Sequence, residues 1–350
     1  MFPYWLLFGV FAAGSLGYKL LPRDRGYRST PLFVTALVGI CLMVGLRFEV
    51  GADWANYLAI FDTFRYLPFG QAWASGDPAY NLLNSFAGSI GQGIWVVNLA
   101  CSAVFVLGLH ALAKRQPNPW LAVLVAVPYL VIVVAMGYTR QAAAIGLIMM
   151  AIGRLEDQQF VRMGLLLLLA ITFHKSAIVI LPLLGLAITR YRLIIYSIGS
   201  IFIVLVFTVF LSRFIDTLFT NYFVSEMSSQ GAAVRVAMNM VPAVVFLAFH
   251  KRLVLSEVER LLWRNFAMAS LAAMVALVFL PSTVVDRLAL YLVPLQVFVL
   301  SRAPYGFGLQ GRPNGQVMFA VLAYSAGVQT IWLVYATHAP YWLPYRMALG

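Results

Sequence analysis

The sequence predicts an all-α, polytopic integral membrane protein, and three observations carry that class. Hydrophobic residues make up 62% of the 350-residue chain and charged residues only 10%, whereas a soluble domain is about a quarter charged. Apolar runs of about 17 to 20 residues recur, the length an α-helix needs to cross a hydrocarbon core of roughly 30 Å. No soluble domain, internal repeat or low-complexity tract interrupts them. In such a chain the net charge of +12 does not point to nucleic acid; it is sorted by side of the bilayer instead.

About twelve segments are expected, within one transmembrane domain over 1–350: 3–20, 31–47, 94–113, 120–136, 141–153, 163–173, 176–189, 193–211, 236–249, 265–281, 288–301 and 317–336. The first apolar run follows Phe2-Pro-Tyr-Trp with no basic residue ahead of it and continues to Tyr18. It is expected to stay as a helix rather than to leave as a signal peptide. Two pieces lie between segments, a loop over 48–93 and a second over 212–235. The first is rich in aromatics, Trp54, Tyr57, Phe61, Phe64, Tyr66, Phe69, Trp73 and Tyr80, and closes on Pro78-Ala-Tyr-Asn-Leu-Leu-Asn-Ser-Phe. That end predicts a short interfacial helix.

Orientation follows from the 24 basic residues. One side collects 16 of them: Lys19, Arg23, Arg25, Arg28, Lys114, Arg115, Arg154, Arg162, Arg190, Arg192, Lys251, Arg252, Arg260, Arg264, Arg302 and Arg312. The other holds 8: Arg47, Arg65, Arg140, Lys175, Arg213, Arg235, Arg287 and Arg346. The richer side is expected to be cytoplasmic, which puts both termini outside. Residues 163–189 test this threading. As one helix with His174-Lys175 at its middle they would invert everything after them and bring the split near parity, so two short segments meeting at His174 are expected. Eleven residues reach only about 16 Å at 1.5 Å each, so the break falls within membrane depth. Irregular backbone there needs protein or a wet cavity beside it.

Cytoplasmic arginines are explained by orientation, but those outside are not. Charge near membrane depth is costly and marks candidate sites. Arg47 is followed by Glu49, Gly51, Asp53 and Tyr57; in a helix, Glu49, Asp53 and Tyr57 would share a face. Arg140 sits in Gly137-Tyr-Thr-Arg-Gln141, His174-Lys175-Ser176 occupies the expected break, and Arg287 follows Asp286 and precedes Tyr291. Guanidinium groups suit phosphate and pyrophosphate through their planar fork. Aromatic faces beside carboxylates suit sugars, and a carboxylate or histidine can take a proton from an attacking hydroxyl. The combination points to a lipid-pyrophosphate donor and a sugar acceptor. No Asp-x-Asp or Asp-x-Glu pair lies outside, so no metal and no cofactor are expected. Cys41 and Cys101 fall inside apolar runs and read as small core side chains.

Five motifs in order then resemble the EpsG family. They are Arg47…Gly51-x-Asp53…Tyr57, Asp77-Pro-x-Tyr80-Asn-x-Leu-Asn84, Gly137-x-x-Arg140-Gln141, His174-x-Ser176-Ala177 and Arg287-x-x-x-Tyr291. No one motif is specific alone; their order and placement carry the resemblance, from about 44 to 300, with little added from about 302 on. The family comprises polymerases of bacterial exopolysaccharide and O-antigen related to Wzy. The resemblance implies a helical bundle similar to the GT-C glycosyltransferases, with an outer-face cavity, in the bacterial inner membrane. It implies transfer of a growing chain from undecaprenyl pyrophosphate to a lipid-linked oligosaccharide repeat, with the bilayer, a chain-length regulator and a flippase as partners. Lys175 fills a position that the family motif leaves loose.

On this reading Arg140 and Arg287 hold pyrophosphate, and Arg47 joins them or holds Asp53. The base is Asp53 or His174, with the balance toward Asp53. Trp54, Tyr57, Tyr80, Asn81 and Tyr291 contact sugar, and Glu49, Gln141 and Lys175 complete the substrate-binding set. A flippase of lipid-linked glycan, a glycosyltransferase using single-sugar polyprenyl phosphate and an O-antigen ligase are the rival functions. A transporter should show repeat symmetry and charge deep in the membrane; here the charges gather at segment ends.

Overall fold

The structure, a computed structural model, describes residues 1–18, 30–189, 197, 231–254, 256–309 and 312–348. It is all-helical, with no strands among the described residues. The expected segment 193–211, residue 197 apart, and residues 212–230 of the loop 212–235 lie outside them. The chain divides into two compact units, Met1–Ile178 with Gln296–Gly350, and Val179–Leu295.

The first unit is built from α1 (Phe2–Gly17), α2 (Pro31–Gly45), α3 (Trp54–Phe64), α4 (Phe69–Trp73), α5 (Pro78–Ser89), α6 (Ile94–Ala113), α7 (Pro119–Ala126, continuing as a π-helix over Val127–Ala135), α8 (Thr139–Glu156) and α9 (Phe160–Phe173). Start signals in the sequence set several of these. Thr30 and Asn118 each accept a backbone N–H of the first turn, with Pro31 and Pro119 following, a combination that satisfies orphan donors and pre-sets φ. Every residue of Pro119–Ala135 is buried. A helix apolar all round belongs in the centre, and α7 packs there against α1, α2, α6 and α8. Its π-helical stretch begins at Val127-Pro128, where the proline removes one ladder donor. Helices α6 and α8 meet backbone to backbone. A Cβ on Gly108 would lie 2.0 Å from the Gly146 carbonyl oxygen, so only glycine allows that approach.

The second unit contains α10 (Ile180–Gly185), α11 (Ala232–Leu253), α12 (Glu257–Ala276) and α13 (Ser282–Ala289). Ser256 caps α12, with Glu257 and Glu259 in its first turn, where the helix dipole favours negative charge. Val236, Val285 and Ala289 form a small core with Ala273, Met274 and Leu277 around it. Helix α14 (Pro294–Gly306) begins at the border of the units, and α15 (Gly315–Thr330, running on through Ile331–Tyr335) belongs to the first.

Three described helices have the length and apolarity to cross a membrane: Ile94–Ala113, Ala232–Leu253 and Gly315–Tyr335; the bent pair Ser282–Leu292 and Pro294–Gly306 makes up to four. Phe2–Gly17, Pro31–Gly45, Pro119–Ala135, Phe160–Phe173 and Lys175–Gly185 are apolar but shorter. Helices of 11 to 17 residues reach about 17–25 Å at 1.5 Å per residue, less than a full hydrocarbon core. Among the described residues, helices therefore stand where segments were expected, but fewer of full spanning length than twelve.

Candidate functional site

Asp77 is the centre of the site, and it was not among the residues singled out for chemistry. Asp77-Pro78 is a helix-start signal, and Asp77 stands at the N-cap of α5 without capping it. Its carboxylate goes elsewhere. Oδ2 accepts from Arg140 Nη1 at 2.8 Å and lies 3.3 Å from His174 Nδ1, while Oδ1 accepts the Lys175 backbone N–H at 3.2 Å. The Asp77 side chain is 7% exposed, against 32% for Arg140 and 27% for His174. The carboxylate is thus rooted in protein, and Arg140 and His174 reach the surface.

The break at His174 explains the third bond. Helix α9 ends at Phe173, His174 is extended, and a tight turn over Lys175–Val179 follows. Breaking a helix frees backbone donors that must find partners, and Asp77 takes the one on Lys175. Burial raises the Asp77 pKa, but the His174 hydrogen bond, the charges of His174 and Arg140, and the Lys175 amide outweigh it, so the carboxyl is held below its ordinary range.

Arg140 stands in the first turn of α8, where a cation opposes the helix dipole; the Asp77 carboxylate offsets that cost. Its guanidinium carbon lies 5.8 Å from the ring centroids of both Tyr57 and Tyr80, within cation–π range. Tyr57 also hydrogen-bonds to Arg140. Tyr80 is fully buried, its ring 5.8 Å from that of Tyr57, and its hydroxyl is without a partner. Burial pushes the Tyr80 pKa well up, so its hydroxyl stays neutral. Tyr80 is a floor beneath Arg140 rather than an open sugar platform.

Arg47 is 1% exposed. Its Nε donates to Val50 O at 3.2 Å, Nη1 to Val44 O at 2.7 Å, and Nη2 to Thr139 Oγ1 at 2.6 Å and Asn98 Oδ1 at 3.5 Å. All four partners are uncharged. A buried charge costs several kcal/mol unless compensated, so Arg47 leaves positive potential one residue from Arg140. The stretch after it is not helical: Glu49 has φ +54 and Gly51 φ +107. Glu49, Asp53 and Tyr57 therefore do not form the shared helical face considered from spacing; α3 starts only at Trp54, with Asp53 at its N-cap. The exposed Glu49 pairs with Arg346 at 2.6 Å.

Trp54 is half-buried and edge-on to Phe48. Asn81 is buried and donates to Ser75 O, which ties α5 to the preceding turn. Gln141 is buried and Lys175 exposed. Arg287 and Tyr291 lie in the second unit. There Asp286 pairs with Arg235, whose Nε and Nη2 meet its two oxygens at 2.9 and 2.7 Å.

The fold and this centre agree with one class, an all-helical membrane protein with a buried carboxylate organising cationic groups. The chain belongs to the EpsG family, whose model matches residues 31–347. That match reaches well past the region the five motifs cover, through the residues from about 302 on that seemed to add little. No curated protein and no solved structure matches the chain. The family suggests a polysaccharide polymerase role in general, and a glycosyltransferase-like one.

Proposed function

We propose that the protein polymerises a bacterial polysaccharide, moving the growing glycan from undecaprenyl pyrophosphate onto a lipid-linked oligosaccharide repeat at the outer face of the inner membrane. The observation that carries this reading is Asp77, which joins Arg140 and His174 at one carboxylate. An imidazole that gives its Nδ1–H to a carboxylate has Nε2 left as a proton acceptor. An arginine anchored through one nitrogen and a third exposed has donors left for phosphate. Arg47 and Arg140 outweigh Asp77 in charge, and the N-terminus of α8 adds to the same sign; an anionic leaving group is favoured there.

In the proposed step the acceptor hydroxyl gives its proton to His174 Nε2. Its oxygen bonds to the anomeric carbon of the growing chain, and the bond from that carbon to pyrophosphate breaks. The electron pair leaves with undecaprenyl pyrophosphate, whose charge Arg140 stabilises. His174 is preferred to Asp53 as base because it has this orienting carboxylate. Asp53 and Trp54, at the head of α3, are assigned to the acceptor sugar. Tyr57 and Tyr80 act through Arg140. Arg287 as a pyrophosphate ligand is a separate proposal, resting on its motif and tested by its own substitution. The basic-residue count also supports an outer-face site, since it places Arg47, Arg140, Lys175 and Arg346 on one side.

The test is glycan ladders in cells carrying single substitutions at normal protein levels. Arg140→Ala and His174→Ala are expected to abolish long chains. Normal ladders from both would sink the assignment.

A further inference from the structure

The segment 339–348 belongs to no span and to none of the five motifs, yet it is tied to the site from two directions. Along the turn after α2 it pairs as a short antiparallel partner. Phe48 N–H donates to Arg346 O at 3.0 Å, Ala348 N–H to Leu46 O at 2.7 Å, Gly51 N–H to Tyr341 O at 2.8 Å, and Tyr345 Oη to Met43 O at 2.7 Å. That turn contains Glu49 in the left-handed region. A non-glycine residue persists there only when its surroundings over-determine it, and the pairing supplies that. From the other direction Trp342 is 1% exposed and donates from Nε1 to Ile132 O at 2.7 Å in the π-helical part of α7. Its ring lies so close to Gly137 that a Cβ there would come to 2.9 Å. Gly51 closes the triangle, because its missing Cβ would meet Met136 O at 2.5 Å.

We propose that this segment is a strap that positions Arg140 for the reaction. It holds the Leu46–Gly51 turn, whose Val50 carbonyl orients Arg47. Arg47 in turn holds Thr139, the residue before Arg140. Trp342 braces the opposite side of the same α7–α8 turn. Trp342 and Thr139 are positioning residues: neither touches substrate, and both set where the guanidinium points. The inference rests on the site proposed above, and the experiment separates the two.

The full chain is purified in detergent and assayed on lipid-linked single repeats extracted from cells lacking the polymerase. Thr139→Val removes one bond of the chain while keeping shape, and Trp342→Phe removes the Nε1–H bond together with part of the ring. Each is expected to lower kcat per folded molecule about 10- to 100-fold, the scale of a misplaced catalytic group, with KM within about twofold. Thr139→Ser is expected to restore kcat. Arg346→Ala is expected to leave kcat unchanged, because its backbone makes the pairing and its side chain makes only an exposed ion pair. Unchanged kcat in both Thr139→Val and Trp342→Phe, with Arg140→Ala inactive, overturns the strap and leaves the site. An active Arg140→Ala overturns the site and the strap with it. If Trp342→Phe does not fold, Thr139→Val and its serine rescue decide alone.

Discussion

Two arginine–carboxylate clusters in the first unit use the same residue types to opposite effect. Around Asp77, one carboxylate serves Arg140 and His174 while Arg47 nearby has only uncharged partners. At the start of the α6–α7 connection, Arg115 meets two carboxylates, Glu156 at 3.0 Å and Asp157 at 2.6 Å. Arg302 there is buried, donates to Gln116 at 2.8 Å and stacks on Phe298 at 4.1 Å. The second cluster answers its arginines with carboxylate, amide and ring. It is a clasp between the ends of α6, α8 and α14. The first shares one buried carboxylate between an arginine and a histidine, both partly exposed. What separates a site from a clasp is this shared carboxylate with its histidine, not the presence of arginine.

The sharpest way to break the comparison is to remove one arginine from each. Arg140→Ala is expected to cost at least about 10²–10³-fold in turnover, the range for losing a preorganised charge partner in the transition state. Arg115→Ala is expected to keep turnover per folded molecule within about threefold while lowering thermal stability, because it leaves Glu156 and Asp157 less compensated. Equal losses of turnover would erase the distinction. His174→Gln comes next, with about 10²–10⁴-fold expected for a lost general base. Asp53→Asn in the same assay decides between the two bases. A larger loss from Asp53→Asn than from His174→Gln would return that role to Asp53.

Acid sharpens the comparison without mutation. The Asp77 carboxyl is held below its ordinary range in the folded chain. Its interactions therefore stabilise the fold fully above that range and are lost as pH falls through the depressed pKa. The melting temperature of the native chain is expected to hold down to about pH 4 and to fall below it. Asp77→Asn should start lower and show a shallower acid limb. Parallel acid limbs in the two proteins would remove Asp77 from the account.

Much of this was legible in the sequence, in uneven ways. The helices were, because apolar runs have one solution in lipid, and Ile94–Ala113 falls where hydropathy put it. So was the break at His174, from the rule that basic residues must sort by side. Asp77 was visible only as a motif letter. An aspartate before proline is so fully explained as a helix start that nothing local marks it as a ligand for groups 63 and 97 residues away. Asn98 and Thr139 were hidden likewise, as small polar residues near helix ends that show their role only once Arg47 is seen to turn inward. The strap was the least legible. Its pairing with the Leu46–Gly51 turn is backbone to backbone, with Tyr345, Trp342 and Arg346 adding side-chain bonds, and backbone bonds leave no mark in side-chain identity.

The smallest expected effect tests the clasp from its acidic side. Asp157 is 35% exposed and Glu156 13%, so the two bonds to Arg115 are not equal in surroundings. Exposed pairs contribute roughly 0–1 kcal/mol because water screens them and side-chain entropy opposes them. Asp157→Asn should therefore cost less stability than Glu156→Gln, and neither should move turnover. Thermal unfolding of the two variants in one detergent gives the order. A reversed order would mean that the shorter Asp157 bond dominates despite its exposure, and that the clasp is drier than its accessibility suggests. A change in turnover from either would mean that the two clusters communicate along α8, whose first turn holds Arg140 and whose last holds Glu156.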